Sequence, residues 1–457
     1  MPKAGVSQIC KARQIARLHP TEFSLSPTND LYCQLCGTVV QCDKQSRVTQ
    51  HRDTAKHQRL LHKPSTSQQS FLNPRSSDFA GDVVHAFLSA DIPLYKLRNS
   101  QLRQLFLGIG HPLPSESACR NKVDTLADLE CDRINQLMKD KQLFMVVDES
   151  DISRTQYINI LIGSIESPSV TYVYDCVPLT ASADSQLIIR IIDDTIRSLG
   201  ADRQNFCLLL SDAARYMTAA GRTLKVLYPQ LFHVTCISHL VHNCALKVKT
   251  KYDKVDELIA RVKAVTVKNR TRQSRFDNIG RPPCPVVTRW GSWLNAALYY
   301  ADNLPTVKEI VTDFEDGGVL VTRAKQSVQE EHLPRSLIEI SQCYRSLATL
   351  VVKLESSGYT IMQAYDDLAS MDLGNDPCQI RQYLSKRLSA SDIGSIVHAT
   401  RDSIPPTLYG LLQHCQPTSA SVERSFSMLR KILARDRQFL PSNVKKYLML
   451  HYNNVSH

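Results

Sequence analysis

Residues 207–221 read CLLLSDAARYMTAAG, and this stretch decides how the central part of the chain folds. The residues 207–210 are apolar without alternation, which is typical of a strand buried on both faces. From Ala213 onward the pattern becomes helical, so the strand is expected to lead directly into a helix. Asp212 stands at the junction, where it can cap the helix or hold a metal ion at the edge of a sheet.

The neighbouring stretches extend this pattern in both directions along the chain. Residues 142–150, 157–166 and 170–179 each predict a strand, and 182–200 predicts a helix that closes with a glycine. Residues 205–212 and 232–236 predict two more strands, each followed by a helix. Strands joined by short turns pair antiparallel, whereas strands joined by helices pair parallel. The order β-β-β-α-β-α-β-α therefore predicts a mixed α/β fold with a five-stranded mixed sheet.

Composition divides the chain into further segments. Residues 1–63 are basic and carry His and Cys, and 64–78 are polar with the Ser, Gln and Pro content of a linker. Residues 79–140 predict a helical domain, and 141–252 contain the predicted α/β core. Residues 253–410 read as mostly helical, and 411–457 close the chain with two helices.

The net charge of +11 and the pI near 9.0 favour a polyanionic partner, either nucleic acid or an acidic membrane surface. Residues 1–63 alone hold ten Lys or Arg against four Asp or Glu. No apolar run approaches the roughly 18–20 residues of a membrane span, and we expect nucleic acid rather than a membrane as the partner. Fourteen cysteines without a secretory signal indicate a reducing compartment, cytoplasm or nucleus. The basic balance favours a nuclear protein that binds double-stranded DNA.

The basic N-terminal segment carries a zinc-ligand spacing. Cys33, Cys36, His51 and His57 follow the pattern C-x2-C-x14-H-x5-H. Zn²⁺ takes four nitrogen or sulfur ligands in a tetrahedron, and a Cys-x2-Cys turn presents two thiolates together. The sequence therefore predicts a structural zinc site in a small ββα-type finger. The simpler alternative is four unrelated residues.

Four cations lie on or beside the predicted His-bearing helix, where they can meet DNA phosphates. They are Arg47, Arg52, Lys56 and Arg59. The alternative is a solvated helix face with no partner.

Two predicted strands end in an acidic residue. Asp148 ends the first strand, in FMVVDES, and Asp212 ends the fourth. If these strands are neighbours, the two carboxylates meet at one edge of the sheet, where they suit Mg²⁺ or Mn²⁺. Two such ions about 3.5–4 Å apart can activate a water and stabilise a leaving oxygen at a phosphodiester. For Asp212 the competing interpretation is the helix N-cap.

The helix predicted at 420–434 has one apolar stripe. Val422, Phe426 and Leu429 recur at helical spacing, and we expect this stripe to mediate a homodimer or higher homo-oligomer. Glu423 lies in the first turn beside the stripe. On spacing alone, Glu423 is best explained as an acid that complements the helix dipole.

Together these stretches resemble the hAT superfamily of transposases (hobo, Activator, Tam3) and the host proteins descended from them. The resemblance rests on the BED-like finger, VVDES at the first strand, LLLSDAARY at the fourth, and SASVERSFSMLRKI followed by PSNVKKYLMLHYN. The finger is also similar to that of the CGG triplet repeat-binding protein. The resemblance implies a ribonuclease-H-like sheet with a helical insertion, C-terminal dimerisation helices, and the catalytic triad Asp148, Asp212 and Glu423.

The resemblance also implies residues that handle DNA. A Cys-x2-His element corresponds to Cys236 and His239, and an Arg-Trp element corresponds to Arg289 and Trp290. Stacking of an unpaired base suits an aromatic side chain. The alternatives are core residues at a strand–helix junction, a half-buried Trp at a helix start, and a second zinc site.

Two departures from the family pattern leave the function open. Glu149 and Ser150 follow the first Asp in place of the frequent aromatic, and the insertion is short for the family. The sequence is therefore compatible with a two-metal DNA transposase or with an inactive, domesticated descendant that regulates transcription. A nuclease or RNA-processing enzyme on the same core is a third, weaker interpretation.

Overall fold

The computed structural model of the chain describes residues 8–26, 28–61, 78–285, 291–315, 318–356, 358–398, 406–433 and 439–455. The chain forms two compact units, Met1–Ser77 and Asp78–His457. Residues 64–77 of the predicted linker lie outside the described residues, and the second unit begins at its last position, Asp78.

The first unit is more elaborate than the expected ββα finger. Its elements are α1 (Gln8–Leu18), β1 (Phe23–Leu25), β2 (Leu31–Cys33), β3 (Thr38–Val39), α2 (Gln45–Arg52) and α3 (Ala55–Leu61). The three short strands form an antiparallel sheet in the order β1-β2-β3. The prediction of two strands and one helix was wrong, because a third strand, a preceding helix and a divided C-terminal helix are present.

The second unit is built on a five-stranded mixed sheet, as the sequence predicted. Its strands are β4 (Leu143–Ile152), β5 (Thr155–Ser164), β6 (Tyr172–Leu179), β7 (Phe206–Ser211) and β8 (Phe232–Thr235). The strand order is β6-β5-β4-β7-β8. Strands β4, β5 and β6 pair antiparallel, and β7 and β8 run parallel to β4. The alternation with helices is also confirmed, with α7 (Ser185–Leu199) before β7, α8 (Arg215–Leu227) before β8 and α9 (Ile237–Lys251) after it.

The sheet is apolar on both faces because helices cover both of them. All six residues of β7 are buried. Along β4, Phe144 and Val146 join one hydrophobic cluster while Met145 and Val147 join the other. A strand with two covered faces needs no alternation of apolar and polar residues, which explains the unbroken apolar run in LFMVV.

Further α-helices precede and follow the sheet in the second unit. Before the sheet these are α4 (Phe79–Ser89), α5 (Ser100–Gly108) and α6 (Glu116–Met138). After α9 come α10 (Asp253–Thr266), α11 (Arg270–Ser274), α12 (Ser292–Thr312), α13 (Val319–Val328), α14 (Leu333–Glu355), α15 (Ile361–Ala369), α16 (Ile380–Ser389), α17 (Ile393–His398) and α18 (Pro406–Gln413). The last two helices are α19 (Ala420–Ile432) and α20 (Pro441–Val455). In the described ranges, no helix has the length and apolar character needed to span a membrane.

The C-terminal helices complete the sheet. Helix α19 contacts β4 and β5, and α20 contacts the edge strand β6 as well as α4 and α6. The side chain of Asn453 on α20 accepts a hydrogen bond from the Val173 backbone amide at 2.9 Å and donates to its carbonyl at 3.2 Å. These bonds satisfy backbone groups that an edge strand otherwise presents to water. The packing of α19 on β4 and β5 therefore places Glu423 next to the sheet.

Candidate metal centres

Four side chains of the first unit converge on one point. Cys33 ends β2, Cys36 lies in the turn after it, His51 lies on α2 and His57 on α3. One ligand atom from each lies within 4.8 Å of all the others, and His57 Nδ1 is 3.5 Å from both cysteine sulfurs. Two thiols and two imidazoles are the donor set that structural Zn²⁺ prefers. The predicted zinc ligands therefore come together in a cluster that can bind Zn²⁺.

A break between two helices makes this convergence possible. On one continuous helix, residues six positions apart point in different directions and are about 9 Å apart along the axis. Here α2 ends at Arg52, and the Thr54 hydroxyl accepts a hydrogen bond from the His57 backbone amide at 3.3 Å as α3 begins. The single His-bearing helix expected from the sequence was therefore wrong. The turn redirects the chain so that both imidazoles face the thiols.

A buried carboxylate supports the cluster from outside. His57 Nε2 is 3.0 Å from Glu22 Oε2, while Arg52 Nε and Nη2 each donate to the same carboxylate at 2.8 Å. A histidine that donates its second nitrogen to a carboxylate is the usual support of a metal-ligating imidazole. His51 Nε2 is buried without a hydrogen-bond partner among the described residues, as expected of a nitrogen that faces a metal. These contacts fit Zn²⁺.

The four basic side chains predicted to contact DNA phosphates lie in different surroundings. Arg52 pairs with the buried Glu22 carboxylate at 2.8 Å, which gives it a supporting position inside the finger, and its contact with DNA phosphates stays a prediction. Arg47 is exposed and pairs with Asp43 at 3.2 Å. Lys56 is exposed and donates to the Cys36 carbonyl at 3.2 Å. Arg59 lies on α3, and its side chain is outside the described residues.

A second cluster forms at the edge of the large sheet. Asp148 comes from β4, His239 from the first turn of α9 and Glu423 from the first turn of α19. One ligand atom of each lies within 4.8 Å of the other two, and His239 Nε2 is 3.9 Å from Glu423 Oε1. Two carboxylates and one imidazole from three elements form a possible metal site. Oxygen donors suit Mg²⁺ or Mn²⁺, and the imidazole favours Mn²⁺ over Mg²⁺.

Asp212 is beside this cluster rather than in the group of three. It follows Ser211 at the end of β7, which pairs parallel with β4. Its Oδ1 accepts a hydrogen bond from the Ala214 backbone amide at 3.1 Å, immediately before α8. Its negative charge nevertheless acts on both Asp148 and His239. The interpretation of Asp212 as the helix N-cap was wrong, because Ala214 is the N-cap of α8; the Asp212 carboxylate instead holds the turn before the helix, and its charge acts on the acidic centre.

Charge and burial at this centre act strongly on Asp148. Burial, the largest cause, raises the pKa of Asp148, the positive charge of His239 lowers it, and the negative charges of Asp212 and Glu423 raise it, which leaves a net pKa of about 7. Only 4% of Asp148 is exposed. A buried carboxylate among like charges is disfavoured unless a cation compensates it.

Cys236 and His239 form a hydrogen-bonded pair under the same centre. Burial raises the pKa of the Cys236 thiol, but hydrogen bonds from His239 and Ser419 lower it more, so the net shift is downward. Burial lowers the pKa of His239, but Cys236, Asp148 and Asp212 raise it more, to about 10. Ser419 bonds Cys236 Sγ through its hydroxyl and its amide, both at 3.2 Å, and its hydroxyl is 3.5 Å from Asp148 Oδ2. This network joins the start of α19 to α9 and β4.

The remaining sequence candidates are placed as follows. Arg289 and Trp290 lie outside the described residues. Cys244, the last member of the alternative second zinc site, is buried in the hydrophobic core, and the described residues show no cluster of Cys236, His239, His242 and Cys244. Glu149 is half-buried and accepts a hydrogen bond from the Tyr216 hydroxyl at 2.8 Å, whereas Asp151 is exposed.

The apolar stripe of α19 is not exposed to solvent. Val422, Phe426 and Leu429 are each 0% exposed and belong to the large hydrophobic cluster of the second unit. The assignment of these three residues to dimerisation was wrong, because the stripe packs on the chain's own sheet. Self-association stays an untested prediction.

Two supporting residues had no distinct signal in the sequence. Glu22 is one acid in a basic segment, and Asn159 is a polar side chain inside the apolar run INILI. Only the second contains a usable hint, because a polar residue within a fully buried strand needs a partner.

No protein-family model matches this chain, and no curated protein sequence matches it significantly.

Proposed function

We propose that this chain is a nuclear zinc-finger DNA-binding protein of the hAT transposase type, with an acidic metal-binding core for cleaving and transferring DNA strands. The observation that carries the proposal is the convergence of Asp148, Glu423 and His239, with Asp212 alongside, at one edge of the sheet. Residues separated by more than 270 positions meet there, at a place where an inert core would be apolar.

The order of the strands supports the ribonuclease-H-like assignment within this proposal. Three antiparallel strands followed by two parallel strands, with the first strand in the centre, give the order third-second-first-fourth-fifth. Asp148 lies within β4, two residues beyond its last pair with β7 at Val146, and Asp212 lies two residues beyond the partner position Leu210, so this strand order brings the two acids to neighbouring positions. It is the arrangement that the hAT resemblance implies.

The chemistry follows from the residues at this edge. A divalent cation there would polarise a phosphodiester and lower the pKa of an attacking water or 3′-hydroxyl. Asp148 and Glu423 would hold the cation, Asp212 would face it from the adjacent strand, and His239 would add a nitrogen ligand. The N-terminal finger would hold the DNA, mainly through phosphate contacts, so binding should weaken steeply with salt.

A nicking assay tests the proposal. Duplex DNA that the full-length, zinc-loaded protein retains from a random pool is incubated with Mn²⁺ and with the wild type, Asp212→Asn or Asp151→Asn. We expect nicks with the wild type and with Asp151→Asn, because Asp151 is an exposed acid on the same strand as Asp148. We expect none with Asp212→Asn. Nicks that persist in Asp212→Asn would refute the catalytic assignment.

One observation favours a second candidate, an inactive descendant that binds DNA and regulates transcription as a dimer. Asp212 Oδ1 is already engaged by the Ala214 amide, and Asp212 is not among the three groups that converge within 4.8 Å. Zinc-dependent, salt-sensitive DNA binding without any Mn²⁺-dependent nicking would select this candidate.

A further inference from the structure

A buried amide in the sheet lies opposite the acidic centre. Asn159 on β5 is directly paired with Asp148 on β4 in the antiparallel register, and Asn159 is 0% exposed. Side chains of directly opposed residues project from the same face of a sheet, with Cβ atoms about 4.5–5.5 Å apart. Asn159 and Asp148 therefore share the face that α19 covers.

The orientation of the Asn159 amide follows from its partner. Its Nδ2 is 2.7 Å from the Ser425 hydroxyl on α19, and this hydroxyl donates its own hydrogen to the Val422 carbonyl at 2.6 Å. The hydroxyl has one hydrogen, so toward Asn159 it acts as the acceptor. The nitrogen of Asn159 therefore faces Ser425, and the oxygen faces away from it.

The oxygen of the Asn159 amide is an unsatisfied hydrogen-bond acceptor among the described residues. Asn159 Oδ1 is completely buried and has no hydrogen-bond donor among the described residues. Leaving a buried acceptor without a donor costs about 1–3 kcal/mol, and native proteins tolerate this mainly where an ion, a water or a catalytic role explains it. Ser425 gives this amide one fixed orientation, so rotating it cannot relieve the cost.

We propose that Asn159 Oδ1 is a further oxygen ligand of the divalent cation held by Asp148, His239 and Glu423. This inference rests on the proposed function, since it extends the same centre. An amide oxygen is a ligand that Mg²⁺ and Mn²⁺ accept, and it adds no negative charge to a site that already contains two carboxylates and has the Asp212 carboxylate beside it. Its place opposite Asp148 gives the cation a ligand from β5, in addition to those from β4, α9 and α19. The Ser425 hydrogen bond positions this ligand before the metal arrives.

Calorimetric titration of the full-length, zinc-loaded protein with Mn²⁺ tests the inference, with no DNA and no activity readout. We expect Asn159→Ala to weaken Mn²⁺ binding about tenfold or more, the size expected for losing a group that holds or orients a metal ligand. Asn159→Asp should bind Mn²⁺ at least as tightly as the wild type, because a carboxylate oxygen replaces the amide oxygen.

Ser425→Ala is the matched control for a structural role. It removes the same hydrogen bond between β5 and α19 but leaves the Asn159 oxygen in the protein. We expect Ser425→Ala to lower the melting temperature about as much as Asn159→Ala but to weaken Mn²⁺ binding less, since the ligand oxygen remains although the bond that positions it is lost. If Asn159 had only a structural role, Asn159→Ala and Ser425→Ala would bind Mn²⁺ with the same affinity.

The outcomes separate this inference from the function beneath it. If the wild type binds Mn²⁺ and Asp148→Asn abolishes binding while Asn159→Ala is unchanged, Asn159 is not a ligand and the core centre stands. Mn²⁺ affinity that falls in Asn159→Asp as much as in Asn159→Ala also overturns the inference. If the wild type itself binds no Mn²⁺, the core metal centre fails and the role of Asn159 fails with it.

Discussion

Replacing Asp148 with Asn should stabilise the metal-free protein, and the gain should grow with pH. An unfolded aspartate has a pKa near 3.9, whereas burial and neighbouring acids raise the pKa of Asp148 to about 7 in the folded chain. Between these values the folded state holds a proton that the unfolded state has released. The free energy of unfolding therefore falls by about 1.36 kcal/mol for each pH unit gained in this window.

The window from pH 4.5 to 6.5 isolates this effect. An unfolded histidine has a pKa near 6.5, so His239, whose pKa is raised to about 10 in the folded chain, adds a slope only toward the upper end of this window, and it does so in both the wild type and Asp148→Asn. Because Asp148 is partly titrated in one state at each end of this window, the wild type should lose about 2.4 kcal/mol of unfolding free energy relative to Asp148→Asn across it.

Urea unfolding in the presence of chelator, followed by tryptophan fluorescence, measures this difference. The chain has two tryptophans, Trp290 and Trp293, so the signal reports on the second unit alone. Asp151→Asn is the control, and it should follow the wild type because Asp151 is exposed. Adding Mn²⁺ should stabilise the wild type and leave Asp148→Asn unchanged, since ligand binding stabilises only the form that binds. A variant that is less stable than the wild type by a constant amount at every pH would refute the reasoning.

Three further predictions concern particular contacts. Glu22→Gln should weaken zinc binding by about 10- to 100-fold in a chelator competition, because it removes the charge that supports His57; an unchanged affinity would contradict that role. Phe426→Ala should lower the free energy of unfolding by about 3–5 kcal/mol, since this ring is fully buried; a loss of dimer without a loss of stability would instead place Phe426 at an interface. Gly221→Ala should cost about 1–3 kcal/mol, because the new Cβ would lie 2.2 Å from Nδ1 of the buried His233; wild-type stability would show that the ring can move.

Local patterns in the sequence are sufficient for the sheet and for the zinc ligands. The apolar run of β7 and the helical period of α8 are short-range signals, and the order of such segments decides which strands pair parallel. The spacing of Cys33, Cys36, His51 and His57 likewise names the ligands without any coordinates, because zinc chemistry allows few donor sets. The sequence alone therefore determined the α/β architecture and the composition of the finger site.

The tertiary structure decided what each side chain faces. The helical period of the sequence identifies the apolar stripe of α19. The same sequence pattern would result whether the stripe packs on the chain's own sheet or on a second copy of the chain. In the structure the stripe is buried in the core. Charge identifies Arg52 as basic, but only the position of Glu22 makes it a support of the zinc site. Asn159 reads as one polar residue in a strand until the antiparallel register places it opposite Asp148. These outcomes depend on strand register and on contacts between residues up to 271 positions apart, and no local period in the chain encodes them.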